Sequence, residues 1–142
     1  MTINPLWRQI TKLEQKIEAT MSEDPRPGFI ENMYGSFDRE DLTKQVLALY
    51  EELVGTSPND EYARYRRAGA LARANRLREA LGEYRKVFGS HRSALVMAAM
   101  MELALGDRDA AQRTLDVHNA RCIAEGVPIM QATLEKITLR RD

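Results

Sequence analysis

The chain has 142 residues, of which 44% are hydrophobic and 30% charged, and its formal net charge at pH 7 is zero. This size and composition predict one compact soluble domain with a continuous core. Residues 1–20 hold five charged side chains where a signal peptide would hold an apolar stretch, and no apolar run reaches the roughly 20 residues of a membrane span. We therefore expect a cytoplasmic protein with no membrane contact.

The metal-binding and redox-active side chains are few. Cys122 is the only cysteine, so the chain cannot form an internal disulfide. Together with His91 and His118, the only histidines, it falls short of a zinc cage unless carboxylates contribute. We therefore expect neither a structural metal nor another cofactor.

Charge is unevenly distributed along the chain. Residues 1–60 hold 6 basic and 11 acidic side chains, residues 61–92 hold 9 and 3, and residues 93–142 hold 6 and 7. A net charge of zero argues against a whole-protein field that attracts nucleic acid or an acidic membrane. The basic middle third is nevertheless compatible with a local basic patch on the surface.

The first predicted helix begins at the N-terminus. Asparagine is common at helix caps and proline at the first helical position, so Asn4 and Pro5 predict a helix start. We expect this helix to continue to about Thr20. Apolar residues follow at helical spacing along one stripe. The stripe consists of Leu6, Ile10, Leu13 and Ile17.

Residues 21–37 are predicted to form an insert. The segment contains two prolines and two glycines, and its apolar residues are too few for a complete helix and too many for a free linker; these are Phe29, Ile30, Met33 and Tyr34. Two placements stay open. The insert packs beside the first two helices, or it folds back over the binding surface predicted below and occupies it until a partner displaces it.

Six further helices are expected after the insert, because apolar residues recur with a helical period and no segment alternates as a strand does. Their predicted ranges are about 39–54, 58–74, 77–88, 93–105, 108–124 and 129–139. Short turns at Asn75-Arg76 and Gly106-Asp107 predict that the third and fourth helices, and the fifth and sixth, form antiparallel pairs.

Residues with cap and turn preferences mark several helix ends. Asp38 is the predicted cap of the second helix, and Gly55 stands where a left-handed residue would end it. Ser57 followed by Pro58 predicts the start of the third helix. Gly126 begins the predicted break before the seventh helix.

The helical pairs are related to one another. A shift of 34 residues aligns Tyr50 with Tyr84, and a shift of 31 residues aligns Ala80 with Ala111 and superimposes the two short turns. These pairs are degenerate copies of one unit. The small residues indicate places where two helices approach closely.

The repeated unit resembles the tetratricopeptide repeat (TPR) family. The family pattern has a small residue in the first helix, a tight turn, an alanine early in the second helix and an aromatic residue four positions later. The middle unit meets this pattern with Ala68, Asn75, Ala80 and Tyr84. The next unit meets most of it with Ala99, Gly106, Ala111 and Leu115. Arg64, Arg67 and Arg92 depart from the pattern at its tryptophan, leucine and proline positions. The resemblance implies an all-α fold of antiparallel helical pairs stacked as a short TPR-like solenoid, about seven helices in all. An ordinary antiparallel bundle is the alternative.

The predicted domain organisation follows from the resemblance. Residues 1–37 form an N-terminal helix and insert, residues 38–124 form the repeats, and residues 125–142 form a C-terminal capping helix. The N-terminal helix either caps the first repeat or pairs with its copy in a homodimer.

Residues capable of catalysis are sparse. His118 and Cys122 lie four positions apart on one side of the sixth predicted helix, but no orienting group or glycine-rich turn accompanies them. We therefore expect a semi-buried thiol beside a surface histidine, and no enzyme.

Partner binding is the function that the resemblance implies. In TPR-like folds the first helix of each pair lines a concave face, which assigns partner binding to Tyr62, Tyr65, Arg73, Val96, Met97, Met100 and Leu103. Because the fifth helix is apolar almost all round, it is either buried at the centre or covered by a partner.

These observations predict a non-enzymatic adaptor or small chaperone that binds a peptide or helix of another protein. The chain is similar in size and plan to the small TPR chaperones of bacterial type III secretion. The alternative is a nucleic-acid-binding protein that uses the arginine-rich residues 61–92. A third interpretation of those arginines is a solvated face whose charges pair with the acidic N-terminal third.

Overall fold

The computed structural model describes residues 4–22 and 31–137, and within these ranges the chain is helical with no β-strand. Seven α-helices are present in this part of the chain, as predicted, together with one 3-10 turn at Pro128–Met130. The helices are α1 (Pro5–Ser22), α2 (Glu31–Thr56), α3 (Glu61–Arg73), α4 (Leu77–Lys86), α5 (Ser93–Ala104), α6 (Arg108–Ala124) and α7 (Leu134–Ile137). The predicted all-α fold class is confirmed.

Backbone contacts divide the chain into two compact units, Met1–Ala74 and Asn75–Asp142. In the first unit α1 packs on α2 and α2 on α3. In the second unit α4 packs on α5, α5 packs on α6, and α7 packs on both α5 and α6. Helices that follow one another in the chain therefore pack together within each unit. Since only three residues join α5 and α6, these two helices run antiparallel.

The start of α2 differs from the prediction. The helix begins at Glu31 and includes Asp38, so residues 31–37 are helical and not part of an irregular insert. Gly35 is helical here although glycine in a helix interior costs about 1 kcal/mol relative to alanine. Residues 23–30 lie outside the described part of the chain, and the two predicted placements of the insert stay predictions.

The end of α2 also differs. Gly55 lies inside the helix without a left-handed conformation, and the helix ends one residue later at Thr56. The hydroxyl of Thr56 donates to the carbonyl of Leu53 at 3.1 Å, and the amide of Ser57 donates to the same carbonyl at 2.9 Å. These two hydrogen bonds satisfy a terminal carbonyl, so a left-handed glycine is not required.

The cap of α3 is Asp60, three residues after the predicted Ser57. The Asp60 carboxylate accepts a hydrogen bond from the amide of Ala63 at 3.0 Å. Residues 57–59 instead form a turn, in which the carbonyl of Ser57 accepts the amide of Asp60 at 3.0 Å. A carboxylate at the N-terminus is also favoured by the helix dipole.

Left-handed residues confirm the predicted turns. Asn75, Gly106 and Gly126 have φ angles of 62°, 88° and 76° and follow α3, α5 and α6. Glycine is the residue that adopts this conformation without strain, and asparagine tolerates it better than most others.

The C-terminal segment is less helical than predicted. The expected helix over 129–139 is replaced by the 3-10 turn and by the four-residue α7, and residues 138–142 are not among those described. Ile129 is 90% exposed and Met130 55% exposed, whereas Leu134 and Ile137 are buried. The side chain of Asn119 binds both backbone groups of Ala132, which keeps this stretch out of a helix.

Small residues are buried at the predicted positions. Ala68, Ala80, Ala99 and Ala111 have no exposed surface. Ile10 and Ile17 of the first stripe are also buried, and α1 packs on α2. The capping role of α1 and a homodimer through α1 both stay predictions.

Candidate functional site

The predicted binding residues form two sets, one in each unit. Tyr62, Tyr65 and Arg73 lie on α3 in the first unit. The second set lies on α5 in the second unit and comprises Val96, Met97, Met100 and Leu103. The surroundings of the two sets differ in polarity.

Tyr62 belongs to a series of three aromatic rings in contact. Its side chain is about half exposed, at 48%, and its ring stacks on that of Trp7 with the centroids 5.6 Å apart. Trp7 also meets the ring of Tyr50 edge-on at 6.0 Å. Since these residues belong to α3, α1 and α2, the rings connect all three helices of the first unit. Tyr65 is half-buried.

A buried carboxylate lies beside these rings. The Glu14 side chain is only 12% exposed, and it accepts hydrogen bonds from the Tyr50 hydroxyl at 2.9 Å, from Arg66 at 2.8 Å and from Arg73 at 3.0 Å. Residues from α1, α2 and α3 therefore meet at one carboxylate. Charge-assisted hydrogen bonds of this length are among the stronger polar contacts in proteins.

The arginines at this carboxylate remain accessible. The side chains of Arg66 and Arg73 are 38% and 40% exposed. Arg66 also donates to the Tyr62 hydroxyl at 3.3 Å, and its guanidinium carbon lies 5.9 Å from the centre of the Tyr62 ring. A cation at this distance from an aromatic face is attracted by the ring.

The electrostatics keep the tyrosine neutral and the arginine charged. Burial, followed by the negative charge of Glu14, raises the pKa of Tyr50 well above its ordinary value. Burial alone would lower the pKa of Arg66, but Tyr50 and Glu14 outweigh it and raise that pKa above its ordinary value. Two arginines and one carboxylate leave this group with an excess of one positive charge. We call it the Glu14 cluster; its members are Trp7, Glu14, Tyr50, Tyr62, Arg66 and Arg73.

The sequence predicts part of this cluster. Tyr62 and Arg73 were predicted as binding residues, and Arg66, seven residues before Arg73 and thus on the same face of α3, shares the partner Glu14 with it. Trp7 and Glu14 were not predicted as site residues. A signal for them exists, because they too are seven residues apart on α1 and thus share a face.

The predicted residues of α5 are largely involved in packing. Val96, Met100 and Leu103 are partly buried and pack against an apolar cluster made of Ala99, Ala111, Leu115, Leu134 and Ile137. Met97 is half-buried as well. Because α5 packs on α4, α6 and α7, this packing favours the interpretation of α5 as a buried central helix of its unit.

The histidine and thiol of α6 are more buried than expected. His118 is 3% exposed and Cys122 is fully buried, so the expectation of a surface histidine is wrong. The Cys122 sulfur lies 3.4 Å from Nε2 of His118, and this nitrogen is also 3.1 Å from the carbonyl oxygen of Met130. The contact of His118 with the backbone of the 3-10 turn accounts for its burial, and in this conformation a substrate cannot reach either group.

The basic residues of 61–92 are mostly paired with acids. In addition to the two arginines at Glu14, the pairs are Arg67–Glu51, Arg76–Glu79, Arg85–Glu102, Lys86–Glu83 and Arg92–Glu125. The pairing of Arg66, Arg67 and Arg73 with acids of α1 and α2 matches the third interpretation of this segment. It leaves less positive charge available for phosphates than the sequence count suggests.

A separate surface depression of about 390 Å³ occurs in the second unit. It is lined by Asn75, Arg76, Leu77, Arg78, Glu79 and Leu105. Predicted binding residues are absent from this lining.

Comparison with known protein families, with curated proteins and with solved structures found no match. Among residues 4–22 and 31–137, no helix is both long enough and apolar enough to cross a membrane.

Proposed function

We propose that this protein is a non-enzymatic interaction module of the TPR-like type, an adaptor or small chaperone that binds a peptide or helix of another protein. The observation that supports this most directly is the Glu14 cluster. In it the half-exposed ring of Tyr62 and the accessible Arg66 and Arg73 lie together on α3, the helix to which the TPR resemblance assigns partner binding. Aromatic and arginine side chains are the types that contribute most to binding at protein interfaces.

The architecture supports the same proposal. Successive helices pack together within each unit, and the alanines that the repeat pattern requires, Ala80 and Ala111, are fully buried. In such folds the helices hold a surface rigidly, so that a partner is bound without large rearrangement.

The charge of the Glu14 cluster bears on the kind of partner. Its excess positive charge favours a segment with acidic side chains, since a basic segment would be repelled. The half-exposed ring of Tyr62 offers an apolar contact next to Arg66. A cytoplasmic location is part of the proposal, and the single cysteine is consistent with a reducing compartment.

Nucleic-acid binding remains the second candidate. Its support is the stacked pair of Trp7 and Tyr62 beside Arg66, because bases stack on such rings. Most basic residues of 61–92 are paired with acids, however, so the protein-binding proposal is the better supported. A salt series on binding to random nucleic acid distinguishes the two, because phosphate contacts weaken steeply as salt increases.

Photo-crosslinking in the source cell tests the proposed function. A photoreactive phenylalanine analogue replaces Tyr62, and in the control it replaces Gln9, which is exposed on the opposite side of α1 from Trp7. We expect a discrete protein adduct from position 62 and none from position 9, and we expect Arg73→Ala to reduce the adduct. Equal adducts from both positions, or none from either, would contradict the proposal.

A further inference from the structure

We propose that α5 and α6 form a second peptide-binding groove, that α7 occupies this groove as a built-in ligand, and that a partner segment with the same apolar spacing displaces it. This inference rests on the proposed function, since it presumes that the protein binds peptides. The groove is defined by Val96, Ala99, Met100, Leu103, Ala111 and Leu115. Residues 127–137, which cross it, are called the strap.

The occupied surface coincides with the predicted binding surface. Val96, Met100 and Leu103 were assigned to partner binding by the TPR resemblance, and the same three side chains pack against the cluster that contains Leu134 and Ile137. The strap therefore covers apolar side chains that would otherwise be exposed. A covering segment of this kind competes with any external ligand for the same surface.

The strap has few buried apolar anchors. Its buried apolar anchors are Leu134 and Ile137, three residues apart, whereas Ile129 is 90% exposed and Met130 is 55% exposed. The strap can therefore open at a small cost compared with unfolding of α5 and α6.

Backbone contacts make the strap resemble a bound peptide. The side-chain amide of Asn119 donates to the carbonyl of Ala132 at 2.9 Å, and its oxygen accepts the amide of Ala132 at 2.8 Å. Gln131, the residue before, is extended with φ −58° and ψ 147°. An asparagine that pairs with both backbone groups of one residue binds a peptide irrespective of that residue's side chain.

The strap also indicates the chemistry of the displacing ligand. An extended residue leads into one helical turn with two large apolar side chains three positions apart. A segment of another protein with this pattern reproduces the contacts of Leu134, Ile137 and Ala132. Its binding is opposed by the tethered strap, whose effective concentration is on the order of millimolar.

Peptide binding to the full chain provides the main test. The probe is a fluorescein-labelled decapeptide with the sequence of residues 128–137, and its anisotropy is measured with the wild type and with Leu134→Ser/Ile137→Ser, which removes the anchors of the strap. We expect the double variant to bind the probe about tenfold more tightly than the wild type. Ile129→Ser is the matched control, because Ile129 is exposed and does not anchor the strap to the groove. We expect this variant to bind the probe with the affinity of the wild type.

Two further binding measurements test whether the peptide is held by its anchor residues and by Asn119. The same decapeptide with serine in place of both anchor residues should not bind the double variant. Adding Asn119→Ala to the double variant should weaken binding about tenfold, since two hydrogen bonds to the peptide backbone are lost. A folded double variant that does not bind the probe, or that binds the serine peptide equally well, overturns the groove and leaves α7 as a structural cap.

Hydrogen exchange on the wild type tests the opening of the strap without any substitution. The amide of Ile137, which donates to the carbonyl of Thr133 at 3.2 Å, should exchange at least about 100 times faster than that of Leu115 in α6. Equal protection would mean that the strap opens only on global unfolding, which overturns the proposal even if the double variant fails to fold. Crosslinking at Tyr62 concerns the first unit, so the proposed function can stand if this groove fails.

Discussion

The two units hold their helices together in different ways. In the first unit α1, α2 and α3 meet at the carboxylate of Glu14, whose arginine partners stay about 40% exposed. In the second unit α5, α6 and α7 meet through apolar side chains around Leu115. A polar cluster with accessible arginines can stabilise the fold and contact a partner at the same time. An apolar cluster must first be uncovered, which is why a displaceable strap matters only in the second unit.

A second buried carboxylate sharpens this comparison. Glu102 on α5 is 5% exposed, accepts a hydrogen bond from the Thr114 hydroxyl at 2.6 Å and pairs with Arg85 at 3.4 Å. One cation therefore faces one anion, and this pair is neutral. The Glu14 cluster, with two cations at one anion, is the one with an excess charge that a partner can use.

The largest effect is expected in the apolar cluster. Leu115 is fully buried, and we predict that Leu115→Ala lowers the free energy of unfolding by about 2–5 kcal/mol because it leaves a cavity. Urea denaturation followed by circular dichroism measures this loss. Val117→Ala on the same helix is the control, since Val117 is 53% exposed, and it should change stability by less than about 0.5 kcal/mol. Similar losses in both variants would contradict the assignment of the core.

The next effect concerns the carboxylate of the first unit. Glu14→Ala removes the shared acceptor of Tyr50, Arg66 and Arg73, and we predict a loss of about 1–3 kcal/mol, moderated by the exposure of both arginines. Glu14→Gln keeps an acceptor without the charge and should cost less.

Salt distinguishes the two clusters. At about 1 M salt the loss caused by Glu14→Ala should shrink, because screening already weakens the ion pairs in the wild type. The loss caused by Leu115→Ala should not shrink. A Glu14→Ala effect that is independent of salt would show that packing of this side chain, and not its charge, stabilises the first unit.

The apolar periodicity of the sequence predicts much of the fold. The bounds of α6 agree with the prediction at both ends, and the turns predicted at Asn75 and Gly106 are present, each with a left-handed residue. One error occurs where tertiary contacts override local preference, because hydrogen bonds from Asn119 keep the strap from continuing as a helix. Another is the start of α2, which lies at Glu31, before the predicted cap Asp38.

The candidate site is less predictable than the fold. The sequence indicates Tyr62 and Arg73 through the repeat resemblance, but it does not indicate that Glu14 lies between Arg66 and Arg73. That contact joins residues 52 and 59 positions apart in the chain. Side-chain spacing on one helix shows which residues share a face, whereas the partner on another helix depends on how the helices pack.

The strap contacts are expected to contribute less than the Glu14 carboxylate. Asn119→Ala removes two hydrogen bonds to Ala132, and we predict a loss of about 1–2 kcal/mol. The exposed Gln112 of the same helix, whose amide donates to Asp116 at 2.9 Å, is the control, and Gln112→Ala should cost less than about 0.5 kcal/mol. Unfolding in urea measures both. A loss as small in Asn119→Ala as in the control would mean that these hydrogen bonds do not hold the strap.

The smallest effect is the contribution of Tyr50 to the dependence of stability on pH. Its pKa is raised in the folded chain, chiefly by burial and then by Glu14, whereas in the unfolded chain it lies at about 10. Above that pH the unfolded chain loses the phenolic proton while the folded chain keeps it, so the stabilisation present below pH of about 10 is lost as the pH rises. We predict a decline of at most about 1.4 kcal/mol per pH unit from this group, the limit for one proton. Urea unfolding between about pH 9 and 11 measures it, and Tyr50→Phe should flatten the decline whereas Tyr65→Phe should not. An unchanged slope in Tyr50→Phe would show that the hydroxyl bound to Glu14 titrates alike in the folded and unfolded chain.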